Sequence, residues 1–132
     1  MYVHIFSVLY TVPSGPPDDF SVEATSSRTL LLAWQPPVQS KQNGIIIQYM
    51  VELSKSGAGV LINFYLNSTQ QTLLINETYI EPFTVFGCRI AAFTQVGMGP
   101  YSNKISQQTP EDSKLLQVYS YVCTYNVFLL FD

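Results

Sequence analysis

The sequence predicts an all-β protein, an antiparallel sandwich of seven strands, and three observations carry that expectation. Between Pro13 and Asp112 the apolar residues recur with a period of two rather than 3.6. The apolar runs are short, regularly spaced and separated by Gly, Pro and Asn at turn positions. No stretch has the i, i+3, i+4, i+7 spacing of an amphipathic helix.

Taken in chain order, "DFSVEA" sets Phe20, Val22 and Ala24 against polar neighbours, the alternation of a half-buried strand. "TLLLAW", Thr29 to Trp34, is a second strand, stopped by Pro36 and Pro37, which have no N–H for a ladder. Asn43-Gly44 signals a turn and opens a third strand, Ile45 to Leu53, rich in β-branched residues. Gly57 and Gly59 permit a turn into a fourth, Val60 to Leu66. A fifth is expected over Thr72 to Ile80, ended by Pro82, and a sixth over Phe86 to Thr94. The sixth alternates Phe86, Cys88, Ile90 and Ala92 on one side. The seventh runs from about Tyr101 to Gln108. Between the last two, "QVGMGP" reads as a hairpin loop whose tip spans residues 97–99, with Ala91 and Ala92 small because the backbone turns close by. No helix follows those glycines, so they do not form a phosphate cradle.

The 132 residues suit one domain over 13–112, with unassigned apolar segments at 1–12 and 113–132. Hydrophobic residues make up 47% and charged residues 11%, a composition that buries a core. Six basic residues and a net charge of −3 supply no basic face for phosphates, so nucleic acid is excluded as a partner. The single histidine, His4, and two cysteines, Cys88 and Cys123, form no metal spacing and no Ser-His-Asp or Cys-His set. No cofactor, metal or catalytic residue is expected. Met1 to Val12 lacks the basic start of a secretory signal. Leu115 to Phe131 is apolar, but Gln117, Ser120, Thr124 and Asn126 interrupt it, whereas a spanning helix needs about 20 mostly apolar residues. Its composition is that of an aggregation-prone segment. Membrane contact is expected only through such a tail or a longer parent protein.

Particular residues then resemble a known family. Pro16-Pro17, Trp34 with Pro36-Pro37, Asn43-Gly44-Ile45 and Tyr49 resemble the first half of a fibronectin type III domain. Ile80-x-Pro82-x-Thr84-x-Phe86, Ala92, Gly97-x-Gly99-Pro100-x-Ser102 and Thr109-Pro110-Glu111-Asp112 resemble the second half. The likeness extends to the arrays in receptor-type tyrosine phosphatases and cell-surface adhesion proteins. It implies an immunoglobulin-like sandwich of a three-stranded and a four-stranded sheet. The family usually carries Tyr at the position of Phe86, and its hydroxyl closes a corner against backbone. Phe keeps the ring burial and forgoes a bond worth about 1 kcal/mol net.

Site expectations follow. Trp34, Phe86, Cys88 and Ile90 belong to the core, Cys88 as a small buried thiol. Asn67-Ser68-Thr69 and Asn76-Glu77-Thr78 are glycosylation sequons, the first in a loop and the second within a strand. Asn43 and Met98, each at a hairpin tip, are candidate binding-loop residues, and Arg89 with Lys104 a small solvated basic spot. The paired carboxylates Asp18-Asp19 and Glu111-Asp112 read as linker residues. The expected function is a non-enzymatic protein-interaction or adhesion module, a fragment or short isoform of an extracellular or receptor-type array. The alternatives are an ectodomain piece of a receptor-type tyrosine phosphatase and an intracellular structural repeat.

Overall fold

A computed structural model describes residues 10–112. His4, Cys123 and the Leu115–Phe131 run, with the expectations placed on them, lie outside these residues. The chain forms β1 (Asp18–Ser26), β2 (Thr29–Gln35), a single helical turn α1 (Gln39–Gln42), β3 (Gln48–Lys55), β4 (Gly59–Asn67), β5 (Thr72–Ile75), β6 (Val85–Thr94), β7 (Gly97–Met98) and β8 (Ile105–Gln108). One sheet has the order β1-β2-β5; the other has β4-β3-β6-β7, with β8 also pairing β6. All pairings are antiparallel. Because β7 and β8 lie along different stretches of the same strand, they share one strand position, so the eight pieces make the expected seven-position sandwich.

The last position is broken for a chemical reason. Pro100 cannot donate, and residues 99–104 leave regular ladder geometry. Gly99 N–H still donates to Ala92 O and Ser102 N–H to Ile90 O, so the segment stays against β6. Gly99 must be glycine, since a Cβ there would stand 2.7 Å from Pro13 Cβ.

Inward residues of both sheets close the core. Leu30, Leu32 and Trp34 of β2 meet Tyr49, Val51 and Leu53 of β3 and Phe86, Cys88, Ile90 and Ala92 of β6. Trp34 is 1% exposed and its ring meets Tyr49 edge-on at 5.6 Å between centroids. Ala92 lies directly opposite the large, buried Tyr49 in the register.

Three expected strands change length. The seventh starts at Ile105, not Tyr101, because the segment after Pro100 leaves the ladder. The third starts at Gln48, not Ile45: residues 43–47 carry the chain from one sheet to the other, leaving Ile45 71% exposed. The fifth ends at Ile75, because Asn76 starts a turn in which its carbonyl accepts from Tyr79 and Ile80 N–H. The chain then plunges Ile80 into the core at 0% exposure.

Residues ahead of Pro13 also pack on the sandwich. Thr11 N–H donates to Asn43 O, Thr94 Oγ1 donates to Thr11 O, and Asn43 Nδ2 donates to Val12 O. At the opposite end a clasp joins the segment before β6 to the end of β8. Thr109 Oγ1 donates to Glu81 O at 2.6 Å and accepts Thr84 N–H at 3.0 Å. Thr109 N–H donates to Thr84 O, and Phe83 N–H to Pro110 O. Phe86 is fully buried, and this corner, which lacks a tyrosine hydroxyl, is held by the threonine.

Candidate interaction surface

The outer face of the larger sheet is unlike a solvated sheet face. On β3, Met50, Glu52 and Ser54 point away from the core, yet they are only 4%, 6% and 6% exposed. Their neighbours cover them. Met50 pairs with Tyr65 on β4 and Ala91 on β6, and Glu52 with Asn63 and Arg89. Arg89 Nε and Nη2 donate to Glu52 Oε1 and Oε2 at 2.8 and 3.0 Å, the bidentate fork that suits guanidinium and carboxylate. The guanidinium lies 3.8 Å from the centroid of the Tyr101 ring, a cation–π contact. Lys104 lays its stem over Gly87, where a Cβ would come within 2.9 Å of it. Gly87 in turn gives its carbonyl to Ser54 Oγ.

The electrostatics follow from this stacking. The hydrogen bonds that Arg89 donates to Glu52 raise its guanidinium above its ordinary pKa. Burial, and then the Glu52 charge, raise the Tyr101 hydroxyl, with Tyr65 adding to the rise. The face therefore presents two tyrosines and an arginine whose charge Glu52 neutralises, residue types enriched at protein interfaces. Arg89 is a correction to the expected basic spot, because Glu52 on the adjacent strand cancels its charge. Sequence reading missed Glu52, Tyr65 and Tyr101; only the register between β3, β4 and β6 makes them neighbours.

The structure places the remaining residues as follows. Asn43 is no hairpin tip: it closes α1 in the left-handed region at φ 55°, inside the crossover between sheets, and is half-buried. Its amide fastens the N-terminal segment, which is why a polar residue with low left-handed strain stands there. Met98 is no tip either: it pairs with Phe93 as part of β7, and the turn is Gln95-Val96. It is 40% exposed. Asn76 is not within a strand but follows β5, exposed, with Oδ1 accepting Thr78 N–H at 3.1 Å. Asn67, the exposed last residue of β4, likewise has Oδ1 accepting Thr69 N–H at 3.2 Å. The two sequons thus adopt the same Asx-turn. β4 and β5 are consecutive strands at one side of the sandwich, and their last residues lie towards opposite ends of it.

Cys88 is fully buried, and burial pushes its thiol up to about 12 against a small opposing pull from Lys104. A thiol so placed is a packing group and not a nucleophile. Among the described residues no group of three or more His, Cys, Asp and Glu is placed to hold a metal, and no helix is long and apolar enough to cross a membrane. A shallow cleft at the crossover end is lined by Pro36, Gln39, Gln42, Asn43, Tyr49 and Ser68, amides and rings without a charged group.

Comparison with known proteins agrees with this architecture. Residues 15–108 match the family model described as the fibronectin type III domain. The chain is 30% identical over 112 residues to the tyrosine-protein phosphatase Lar of Drosophila melanogaster, covering 83% of this chain and 5% of that protein. It is 35% identical over 114 residues to the receptor-type tyrosine-protein phosphatase F of Danio rerio, covering 85% of this chain and 6% of that protein. It is 31% identical over 103 residues to the cell adhesion molecule DSCAM of Gallus gallus, covering 76% and 5%. The chain spans about a twentieth of the length of these relatives. Among solved structures, the FN5 domain of Drosophila Lar superimposes with a TM-score of 0.59 at 22% identity, covering 75% of this chain and 98% of that one. The fn3 domain of human contactin 1 gives 0.66 at 18%, covering 83% and 89%. With strand order, core and family match in agreement, the chain belongs to the fibronectin type III family, as a non-catalytic domain related to those of cell-surface adhesion receptors and receptor phosphatases.

Proposed function

We propose that this chain is an extracellular protein-interaction module, a fragment or short form of a receptor-type array, that docks partners on the outer face of its larger sheet. The observation that carries the reading is that face itself. Tyr101 lies on the Arg89 guanidinium, which the Glu52 fork holds in place, so these side chains are already ordered by one another, which lowers the entropy cost of docking; Tyr65 stands exposed on the same face. The kinship with adhesion receptors supports an extracellular setting. The two exposed Asx-turn sequons support it too, with Asn67 and Asn76 as glycosylated residues. The folding unit is 13–112, with Tyr10 to Val12 docked on it.

Two measurements test the proposal. Expressed through the secretory pathway, the full chain should lose mass on N-glycosidase treatment in two steps, one absent in Asn67→Gln and the other in Asn76→Gln. No shift, with recovery only from cytosol, would favour an intracellular repeat. Screened against an array of cell-surface ectodomains, the secreted chain should bind a partner that Tyr101→Ser weakens about tenfold or more, ~1.4 kcal/mol. Binding that ignores Tyr101→Ser would move the docking surface elsewhere.

A further inference from the structure

The sandwich has one long edge with neither charge nor proline to oppose pairing, interrupted by a single bulge. β4 ends the larger sheet, so one side of its backbone has no ladder partner among the described residues. Its nine residues, GVLINFYLN, include no charged residue and no proline. Other edges are guarded. β1 carries Asp18, Asp19 and Glu23, with Asp19 at φ 52° and two register shifts. β8 has four residues, cut off from β7 by the Gly99-Pro100 segment, and β5 also has four. Short, charged or broken edges resist strand addition; a long uncharged one invites it. β4 has one irregularity, a bulge at Leu61 where Leu53 pairs Ile62 and Ser54 pairs Val60, and from Ile62 to Asn67 its register is unbroken. Val60, Leu61 and Tyr65 are 55%, 41% and 59% exposed along it.

We propose that β4 is the docking edge for a second copy of this chain, the two strands pairing antiparallel about a two-fold axis at Asn63. The strand's own sequence identifies the occupant. Centred on Asn63, such a pair sets the exposed Tyr65 opposite the exposed Leu61 at the bulge of the other copy, an aromatic–aliphatic cross-strand pair. Asn63 faces its own equivalent, where side-chain amides can donate and accept reciprocally. Ile62 and Phe64, half-buried at the core's margin, face each other across the axis. Because the strand is neutral, two copies with a net charge of −3 each bring no like charges into contact along it. An isologous contact of this kind closes on itself and yields a dimer with a continuous sheet, not a filament. Asn67 falls opposite Gly59 at the rim, so a glycan on Asn67 lies at the end of the paired strands. The inference shares Tyr65 with the docking face proposed above, but Leu61→Lys alters the β4 edge alone and Tyr101→Ser the face alone, so the failure of one is distinguishable from the failure of the other.

Sedimentation velocity on the full 132-residue chain across the micromolar range tests it. A concentration-dependent monomer–dimer equilibrium is expected, weakened about tenfold or more (~1.4 kcal/mol) by Leu61→Lys or by Tyr65→Lys and retained in Tyr65→Phe. Hydrogen exchange at the β4 amides should slow as the concentration rises. Trp34 emission in each variant reports that the fold is intact. A monomer at all concentrations overturns the proposal. So does association that Leu61→Lys and Tyr65→Lys leave unchanged, which assigns it to other residues. β4 amides protected equally at every concentration overturn it as well, because the chain's own segment then covers the edge.

Discussion

Replacing Thr109 by valine removes one hydroxyl from a site that is 1% exposed and keeps its shape. The hydroxyl donates to Glu81 O at 2.6 Å and accepts from Thr84 N–H at 3.0 Å, so both partners lose a bond at once. A buried polar group left unpaired costs about 1–3 kcal/mol. Glu81 is exposed and Thr84 half-buried, so both lost partners stand near solvent and the lower part of that range applies to each. The added methyl returns up to ~0.8 kcal/mol of apolar burial. A net loss of about 2 kcal/mol remains, which for a domain of this size lowers the melting temperature by about 8–16 °C. Thr109→Ser keeps the hydroxyl and deletes the methyl, at a cost of about 1 kcal/mol. Calorimetry or circular dichroism on the three proteins reads the order directly: wild type, then serine, then valine. Valine as stable as wild type, or serine less stable than valine, would refute the idea that the hydroxyl holds this corner.

Arg89→Met should destabilise the fold by about 3 kcal/mol, because it strands the Glu52 carboxylate, 8% exposed, without its fork. Glu52→Leu combined with Arg89→Met should recover most of that loss, and a double variant no more stable than Arg89→Met alone would show that the pair is not the cause. Trp34, the single tryptophan, should emit at short wavelength in the native protein and red-shift on unfolding, while Trp34→Ala costs about 3–5 kcal/mol; a water-like native emission maximum would contradict the burial. With Cys123 replaced by Ser, no thiol should react with a disulfide reagent at pH 8 until the chain unfolds, since Cys88 ionises only near 12. The raised value also sets a pH dependence: above pH 9 the unfolded thiol ionises first, the unfolded state then binds fewer protons, and stability falls by up to ~1.4 kcal/mol per unit until about 12. A Cys88→Ala variant with the same alkaline decline would assign it to other groups.

What local chemistry dictates was legible along the chain. Alternation located the runs that became β1, β2, β4 and β6, because a period of two follows from the strand backbone whatever the partner. Proline and glycine marked where ladders stop, and Trp34, Phe86, Cys88 and Ile90 could be assigned to one interior because each lies in phase with apolar neighbours. Strand ends were less legible: Ile45 and Asn76 sit in apolar or β-prone surroundings, but the chain must cross between sheets at the first and turn into the core at the second. Of the residues that make the outer face only Arg89 stood out in the sequence, and with Lys104 rather than Glu52 beside it. Met50, Glu52, Tyr65, Arg89 and Tyr101 are far apart in sequence, and only the register of β3 against β4 and β6 brings them together. The same holds for Thr109, whose hydroxyl finds Glu81 and Thr84 across 28 and 25 positions. Strand identity is a property of neighbouring residues, whereas ion pairs, clasps and the unguarded edge depend on which strands become adjacent, and that is set when the two sheets assemble over a common core.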